Sequence, residues 1–362
     1  MITITTLNTW GIPFVQDRQR RMQALALEIA SGKYDIIGLQ EIWDVKDWVR
    51  IKRGAELGGL RYGHHFTSGA VGSGLVVLSR YPITMLDFYR FRLRGTAETI
   101  HRGDYIAGKG IGLARIHTPQ GMLDFYITHL IAQYQDDALD EYPAHRAAQM
   151  FEAARFINHR QQFPAVIVGD FNVRPDQLGY RIITSLTGMK DVFACLHPDT
   201  PGYTLSTDNP YIQSKSERID YIMTRGIKAE SIEIAFQQIP GTSIPYSDHY
   251  GLVMRCQLSQ IESDMTVDQA DRQAVLKAIL NTLQNGLTDA HRRQARRISQ
   301  TYIGLLALVA AHLCPARIRN ILRLPFILYS LTQASLARYF IQDEINDLNA
   351  IMAEVETLVH SS

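Results

Sequence analysis

Acidic, amide and imidazole side chains stand at the ends of several short apolar runs, where they could form one site. An isolated Gly-Asp-x-Asn sequence, such as residues 169–172, most often closes a strand with an Asx turn. Polar residues of these types at six strand-like runs are not expected from turns alone. The residues are Asn8 after residues 2–7, Glu41 after 36–39, His129 after 123–127, Asp170 and Asn172 after 166–168, Asp220 within 218–222, and Asp248 and His249 before 252–254.

Asn8, Glu41, Asp170 and Asn172 offer hard oxygen ligands and no thiolate. Carboxylate and amide oxygens suit Mg²⁺ or a similar hard cation, whereas structural zinc sites are usually built from cysteine and histidine. Such an ion usually works together with a phosphate group. The set therefore predicts a metal-assisted reaction at a phosphate.

His129 and His249 are the side chains near this set that could move protons or stabilise charge near neutral pH. A lone histidine is more often a structural residue. His249 differs because Asp248 adjoins it and because Asp170 or Asp220 could orient its ring. This arrangement favours His249 as a general base.

Lys109 lies between glycines in the segment 101–110 and could reach a phosphate. A Gly-Lys-Gly sequence is a weak signal. The alternative interpretation is a lysine in a solvated turn.

The elements that would position these residues follow from hydrophobic periodicity, and they indicate an α/β protein. A strand at 2–8, a helix at 17–30 and a strand from 36 give a βαβ-like start. The segment 196–217 has little regular pattern, and a loop of that length is usually functional or disordered. The other predicted elements are helices at 44–57 and 142–159 and strands at 71–79, 88–93, 111–117, 122–128, 166–168, 218–222, 232–236 and 251–258.

Composition describes an ordinary folded protein, with 362 residues, 46% hydrophobic and 20% charged. The net charge of +1 gives no overall attraction to nucleic acid. Three widely spaced cysteines imply no disulfide framework and favour a reducing compartment. Residues 3–8 read as the first core strand and not as a signal peptide, so we expect the N-terminus on the cytoplasmic side.

The length suits a catalytic domain over residues 1–258 and a helical region over 259–362. The second region contains two apolar patches, 302–314 and 324–337, each shorter than the roughly twenty residues that span a bilayer. From 290 to 342 there is no acidic residue, while seven arginines lie between 292 and 323. Basic flanks around apolar patches predict membrane contact through residues 290–340. Soluble helical packing and a basic face for RNA are the alternatives.

These motifs together resemble the endonuclease/exonuclease/phosphatase superfamily, which has the magnesium-dependent DNase I-like fold. Within it the chain is most similar to the neutral sphingomyelinases, through Trp10-Gly11-Ile12-Pro13, His64-His65-Phe66, Gly72-Ser73-Gly74, His101-Arg102-Gly103-Asp104 and Ala144-His145-Arg146. The resemblance covers roughly residues 1–258. It implies a four-layer α/β/β/α sandwich with the site at the top of two packed sheets.

The resemblance also implies a role for each site residue. Glu41 would be the principal Mg²⁺ ligand with Asn8 beside it, and His249 the general base, oriented by Asp248 and Asp220. The remaining residues would act on the substrate: Asp170 and Asn172 place the phosphate, His129 stabilises developing charge, and Asp104 and Lys109 lie near the phosphate.

The expected function is a Mg²⁺-dependent phospholipase C that acts on sphingomyelin or a lyso choline phospholipid at a membrane. A nuclease or a phosphoinositide phosphatase of the same superfamily is the alternative. The sequence before residue 258 shows no basic stripe of the kind that tracks nucleic-acid phosphates, so no nucleic-acid partner is expected.

Overall fold

Two six-stranded sheets pack face to face in the computed structural model, which describes residues 1–135, 137–259 and 268–360. Helices cover both outer faces, so the predicted α/β/β/α sandwich is confirmed. The strands are β1 Ile2–Asn8, β2 Ile36–Gln40, β3 Tyr62–His65, β4 Val76–Ser79, β5 Ile83–Arg90, β6 Gly110–Thr118, β7 Gly121–His129, β8 Ala165–Asp170, β9 Lys190–Asp191, β10 Asp220–Arg225, β11 Ile227–Ala235 and β12 Gly251–Leu258. The helices are α1 Arg18–Ala30, α2 Val45–Leu57, α3 Pro143–Arg160, α4 Leu178–Thr187, α5 Val192–Leu196, α6 Gln269–Ala311, α7 Ala316–Ser335 and α8 Gln342–His360.

The order of strands brings the polar strand ends to one edge of the sandwich. The first sheet has the order β11-β12-β1-β2-β4-β3, and the second has the order β5-β6-β7-β8-β10-β9. β1 pairs with β2 in parallel, with Asn8 opposite Gln40. β7 pairs with β8 in parallel, with His129 opposite Asp170. These ends define what we call the site edge.

Apolar residues that alternate along the strands fill the space between the two sheets. Because these residues must face the other sheet, their alternation sets the register of the strands. Ile4 and Ile36 of the first sheet pack against Phe125 and Val168 of the second, and all four are fully buried. The sheets approach closely at Gly38, where an added Cβ would lie 2.6 Å from Val168 Cγ2. A larger residue there would force the layers apart.

Some predicted boundaries are wrong. The strand predicted at 71–79 begins only at Val76, because the preceding glycines turn the chain, with φ of 94° at Gly72 and 72° at Gly74. The strand predicted at 88–93 is β5, which begins at Ile83 and ends at Arg90. Strands β3 and β9 and helices α4 and α5 were not predicted.

The C-terminal helices form part of the same core as the second sheet. Val275 and Leu283 of α6 and Leu348 of α8 are fully buried in one cluster with Phe151 of α3 and Ile183 of α4. The proposed boundary at 258 therefore separates two regions of sequence that share apolar packing.

Helix α6 runs toward the site edge and continues past it. Near its start Asp271 accepts hydrogen bonds from Arg181 and Ser185 of α4. Further along, Arg293 donates to Glu98, which lies in the 3-10 turn Ala97–Arg102 at the site edge. The next residues of α6 and the returning helix α7 form a helical hairpin, residues 298–335, which we call the C-terminal hairpin.

The described helices include none that has both the length and the apolar character required to cross a membrane.

Candidate active site

The site lies on the seam between the two sheets at the site edge. In the second sheet, β7, β8 and β10 place His129, Asp170 and Asp220 side by side, because Asp170 is the register partner of both other residues. The first sheet supplies Asn8 from β1, and Glu41 follows directly after β2. All of these residues except Glu41 are at most 3% exposed.

The backbone adopts sparsely populated conformations where the site residues emerge. Glu41 has φ of 63°, which an L residue of this type seldom adopts, and Asn172 has φ of 50°, a conformation that asparagine tolerates better. Gly169 has φ of 142°, and a Cβ there would lie 2.0 Å from the Thr128 carbonyl oxygen. Such local strain is concentrated at functional sites.

Asp170 Oδ2 is at the centre of the polar cluster. It accepts a hydrogen bond from Asn8 Nδ2 at 2.9 Å and lies 3.4 Å from His129 Nε2 and 3.9 Å from His249 Nε2. The same Asn8 amide donates to Glu41 Oε1 at 3.1 Å. Asn8 therefore ties together the two carboxylates that the two sheets contribute.

Asn8 and Asn172 are both committed to neighbours within the cluster. The Asn8 amide oxygen accepts from the backbone N–H of Trp10. Asn172 donates from its side chain to the Leu130 carbonyl and from its backbone N–H to Asp170 Oδ1. These hydrogen bonds hold the strand ends in place. Both amides therefore position their neighbours, whether or not they also bind a metal ion or substrate.

His249 lies against Asp220, which it contacts through Nδ1 and Oδ2 at 2.8 Å. Burial by itself lowers the pKa of His249, but the charges of Asp220, Asp248 and Asp170 outweigh burial and raise the pKa well above its usual range. The other nitrogen, Nε2, is the one that lies toward Asp170.

Lys109 is inside the site. The side chain is 5% exposed and its Nζ contacts Asp104 Oδ1 at 2.7 Å, His129 Nε2 at 3.2 Å and the Leu130 carbonyl at 2.9 Å. The alternative of a lysine in a solvated turn is therefore wrong. Burial, followed by the charge of Lys109, lowers the pKa of His129 well below its usual range. A neutral His129 accepts from Lys109 through Nε2 and carries its proton on Nδ1.

The carboxylates of the site suit a hard cation. Burial, followed by the charge of Asp248, raises the pKa of Glu41, and burial together with Asp220 raises that of Asp170 to about 7. Burial and a neighbouring carboxylate therefore both disfavour the ionised forms, which a bound cation would favour. Asp170, Asp220 and His249 bring ligand atoms within 4.8 Å of one another, and Asp220 Oδ1 has no hydrogen-bond partner among the described residues. The carboxylate oxygens of this set fit Mg²⁺, whereas an imidazole is a poor ligand for it, and Asp170 is linked to Glu41 through Asn8.

The loop from Leu196 to Glu217, which has little sequence pattern, holds the catalytic candidates in place. Thr204 Oγ1 accepts from the backbone N–H of Asp220, and Thr204 is fully buried. Asn209, also fully buried, donates to the carbonyls of Ser247 and Asp248. Sequence analysis missed both residues, since a single Thr or Asn in a loop carries no signal of its long-range partner.

Arg21 is a third residue that the sequence analysis missed. It is fully buried and donates to the carbonyls of Thr9, Trp10 and Tyr246. Its guanidinium thereby joins the loop after β1 to the loop before His249. The helical spacing of α1 predicted its apolar neighbours but gave no reason for an arginine among them.

Comparison with known proteins places this arrangement among phosphodiesterases and nucleases. Residues 5–249 match the endonuclease/exonuclease/phosphatase family. Sphingomyelin phosphodiesterase 2 of Homo sapiens is 32% identical over 338 residues, which cover 86% of this chain and 79% of the human protein. A Drosophila melanogaster protein named as a candidate neutral sphingomyelinase is 36% identical over 72% of this chain, and the match spans 62% of the fly protein, less than two thirds of its length. Inositol phosphosphingolipids phospholipase C of Schizosaccharomyces pombe is 28% identical over 69% of this chain and 67% of its own length.

Solved structures share the fold at low sequence identity. Sphingomyelinase C from Streptomyces griseocarneus has a TM-score of 0.53 at 17% identity, covering 70% of this chain and 98% of that chain. D. rerio TDP2 in complex with a single-strand DNA product has a TM-score of 0.57 at 15% identity, covering 71% and 98%. The sandwich is therefore common to proteins that act on lipids and on DNA, and it does not by itself choose between them.

Proposed function

The chain belongs to the endonuclease/exonuclease/phosphatase family and, within it, to the neutral sphingomyelinases, and from this premise we propose that it is a Mg²⁺-dependent phospholipase C. Its substrate is sphingomyelin or a lyso choline phospholipid, and its products are phosphocholine and ceramide or an acylglycerol. The observation that carries the proposal is the buried Asp220–His249 pair, whose free Nε2 lies 3.9 Å from Asp170.

In the proposed mechanism His249 is the general base. The raised pKa makes His249 a stronger base, and in the molecules whose ring is neutral Nδ1–H donates to Asp220 and Nε2 takes a proton from a water molecule that attacks phosphorus. A bond forms from the water oxygen to phosphorus, and the bond from phosphorus to the lipid oxygen breaks. The proton that the leaving alkoxide requires comes from protonated His249 or from solvent.

The remaining site residues stabilise charge on the phosphate. His129 Nε2 lies 3.4 Å from Asp170 Oδ2, the buried Lys109 donates to this nitrogen, and Asp104 holds Lys109 in position. Glu41 and Asp170, which the Asn8 amide bridges, would hold Mg²⁺. When bound, the ion would polarise the phosphoryl oxygens and neutralise their charge.

A choline headgroup is compatible with the aromatic residues beside the site. Trp10 is two residues after Asn8 and its ring is tilted against that of Tyr211, with the ring centroids 5.1 Å apart, and the Trp43 indole N–H lies 3.4 Å from Glu41 Oε2. Aromatic faces bind quaternary ammonium groups well. Because the fission-yeast relative is named for inositol phosphosphingolipids, an inositol headgroup is the competing lipid substrate.

A nuclease is less well supported. Several arginines of the sandwich form ion pairs with buried acids, as Arg115 does with Asp124 and Arg218 with Asp191. Arginines held in this way do not form a groove that follows a nucleic-acid backbone.

We also propose that residues 290–340 contact a membrane, on the cytoplasmic side. The C-terminal hairpin carries apolar side chains that are more than half exposed, and no acidic residue lies between 290 and 342. It extends past the site edge, where the loop after β1 also exposes Phe14 fully and Ile12 by 43%. Apolar groups on the same side as the site suit an enzyme whose substrate is in a bilayer. The exposed hairpin residues include Tyr302, Ile303, Leu306, Val309, Ile321, Leu324, Leu328 and Leu331.

A substrate panel tests the proposed reaction. Headgroup release is measured from sphingomyelin, lysophosphatidylcholine, an inositol phosphosphingolipid and a phosphoinositide, with a DNA oligomer as the nuclease control. We expect the choline lipids to be hydrolysed fastest. Cleavage of the oligomer without release from any lipid would instead favour the nuclease.

A further inference from the structure

An open cavity of about 480 Å³ lies beside the site edge, outside the candidate active site. It is bounded by α6, the 3-10 turn Ala97–Arg102 and the start of α3. Its walls include three arginines of α6, Arg293, Arg296 and Arg297, and His145 of α3.

His145 is a buried polar group with unmet hydrogen-bonding capacity. It is 3% exposed, and neither ring nitrogen has a hydrogen-bond partner among the described residues. Glu344 Oε1 is 3.7 Å from Nε2, which is too far for a hydrogen bond. An unpaired buried imidazole is unfavourable for stability, and natural proteins seldom keep one without a partner. Because it lines the cavity, a bound molecule could satisfy it.

The charges around the cavity favour an anion. The acids that line it already face arginines: Glu98 and Glu344 contact Arg293, Asp140 contacts Arg146, Glu141 contacts Arg102 and Asp289 contacts Arg292. Arg297 also binds Glu98. Arg296 is exposed and has no ion pair within the described ranges, so its charge is available to a ligand.

We propose that this cavity binds a phosphomonoester group. Arginine suits phosphate because its N–H groups match the geometry of two phosphate oxygens. Neutral His145 offers one donor and one acceptor. A phosphomonoester, which keeps a proton through part of the neutral range, can meet both, whereas sulfate has acceptors alone. The group could belong to an anionic lipid headgroup or to a soluble phosphate.

The position of the cavity links it to the membrane and to the active site. It lies at the base of the C-terminal hairpin, where Arg293 and Arg297 hold Glu98. The same loop continues to Asp104, the partner of Lys109. An occupied cavity would therefore hold together the two parts of the chain that face the lipid.

Calorimetric titration with inorganic phosphate in EDTA tests the site without turnover, so its outcome is independent of the proposed enzymatic function. Arg296→Gln should weaken binding roughly tenfold to a hundredfold, because one charge-assisted hydrogen bond is lost. The matched control is Lys277→Gln, which removes the same charge from the same helix at an exposed position outside the cavity. His145→Leu should also weaken binding without lowering the melting temperature, and sulfate should bind more weakly than phosphate.

Vesicle arms distinguish the two sources of phosphate. Vesicles of phosphatidylcholine with phosphatidic acid are compared with phosphatidylcholine alone. A loss of binding to phosphatidic acid in Arg296→Gln, beyond that in Lys277→Gln, supports a lipid headgroup. Equal vesicle binding by both variants, with weakened phosphate titration in Arg296→Gln alone, supports a soluble ligand. If Arg296→Gln, His145→Leu and the control all bind phosphate and vesicles alike, the site is overturned.

Discussion

The Nδ1 atom of His249 lies 2.8 Å from Oδ2 of Asp220, and both side chains are buried. This contact fixes the ring orientation and leaves Nε2 toward Asp170. It joins the loop before β12 to the start of β10, so the two sheets together form the base.

Asp220→Asn should lower kcat by roughly a thousandfold to ten-thousandfold, because the neutral amide neither favours the required tautomer nor stabilises the protonated ring. KM for a short-chain substrate should change little. The matched control is Asp208→Asn, in the nearby loop, which should retain activity. A variant with unchanged kcat would show that His249 acts without Asp220.

Asn209→Ala tests a residue that could not be identified from the sequence. The amide supports the carbonyls of Ser247 and Asp248 at 2.8 Å and 3.2 Å. Its loss should displace His249 and reduce kcat by about tenfold to a hundredfold. Stability should fall by about 1–3 kcal/mol. Asn158→Ala, which removes a similar bond to the Leu186 carbonyl far from the site, should lose stability and keep kcat per folded molecule.

The strands that carry site residues could be predicted, since an apolar run followed by Asp, Asn or His is visible locally. β12 was predicted with its correct bounds, and β7 and β8 to within a few residues. What could not be predicted depends on contacts distant in sequence. Asn209 binds residues 38 and 39 positions away. The amphipathic patterns of α6 and α8 likewise show that each helix has an apolar face, but they do not show that this face packs near α3.

His145 predicts a pH dependence of stability. Burial, followed by the charge of Arg293, lowers the pKa of His145 to about 3, below its usual value of 6.5. Between pH 6.5 and 3 the unfolded chain therefore binds a proton that the folded chain does not. Stability contributed by the neutral ring is lost as pH falls through this window, by about 2 kcal/mol at pH 5.

Urea unfolding of wild type and His145→Leu at pH 7 and pH 5 checks this dependence. The difference between the two pH values should be smaller in the variant by about 2 kcal/mol, because leucine cannot titrate. Carboxyl groups titrate equally in both proteins and cancel in the comparison. An identical pH difference in both proteins would mean that His145 is protonated in the folded state.

Replacing residues 302–330 with Gly-Ser-Gly tests the membrane proposal. The replacement keeps the Arg297–Gln333 contact, and three residues can bridge helices whose axes lie about 8–10 Å apart. Hydrolysis of a short-chain substrate should persist, while sedimentation with anionic vesicles should fall. Equal sedimentation of the two proteins would contradict membrane contact through the hairpin.

Deleting all residues after Leu258 would not be a suitable test of membrane contact. It would expose the core between α3 and α4, where α6 and α8 bury residues such as Ile279 and Ile351. Each buried aliphatic side chain contributes roughly 1.5–3 kcal/mol, and total stability is only about 5–15 kcal/mol. We expect this shorter chain to aggregate.

The central claim is Mg²⁺-dependent headgroup release, and a Mg²⁺ titration of phosphocholine release from sphingomyelin tests it most directly. We expect release by the wild type to stop in EDTA and to return with Mg²⁺. Glu41→Gln should remove most activity and require more Mg²⁺, because a charged oxygen leaves the site, while the fold should persist. His249→Ala should lose at least about a thousandfold in rate with unchanged Mg²⁺ dependence. Release that continues in EDTA, or a Glu41→Gln protein with the rate and Mg²⁺ demand of the wild type, would contradict the account.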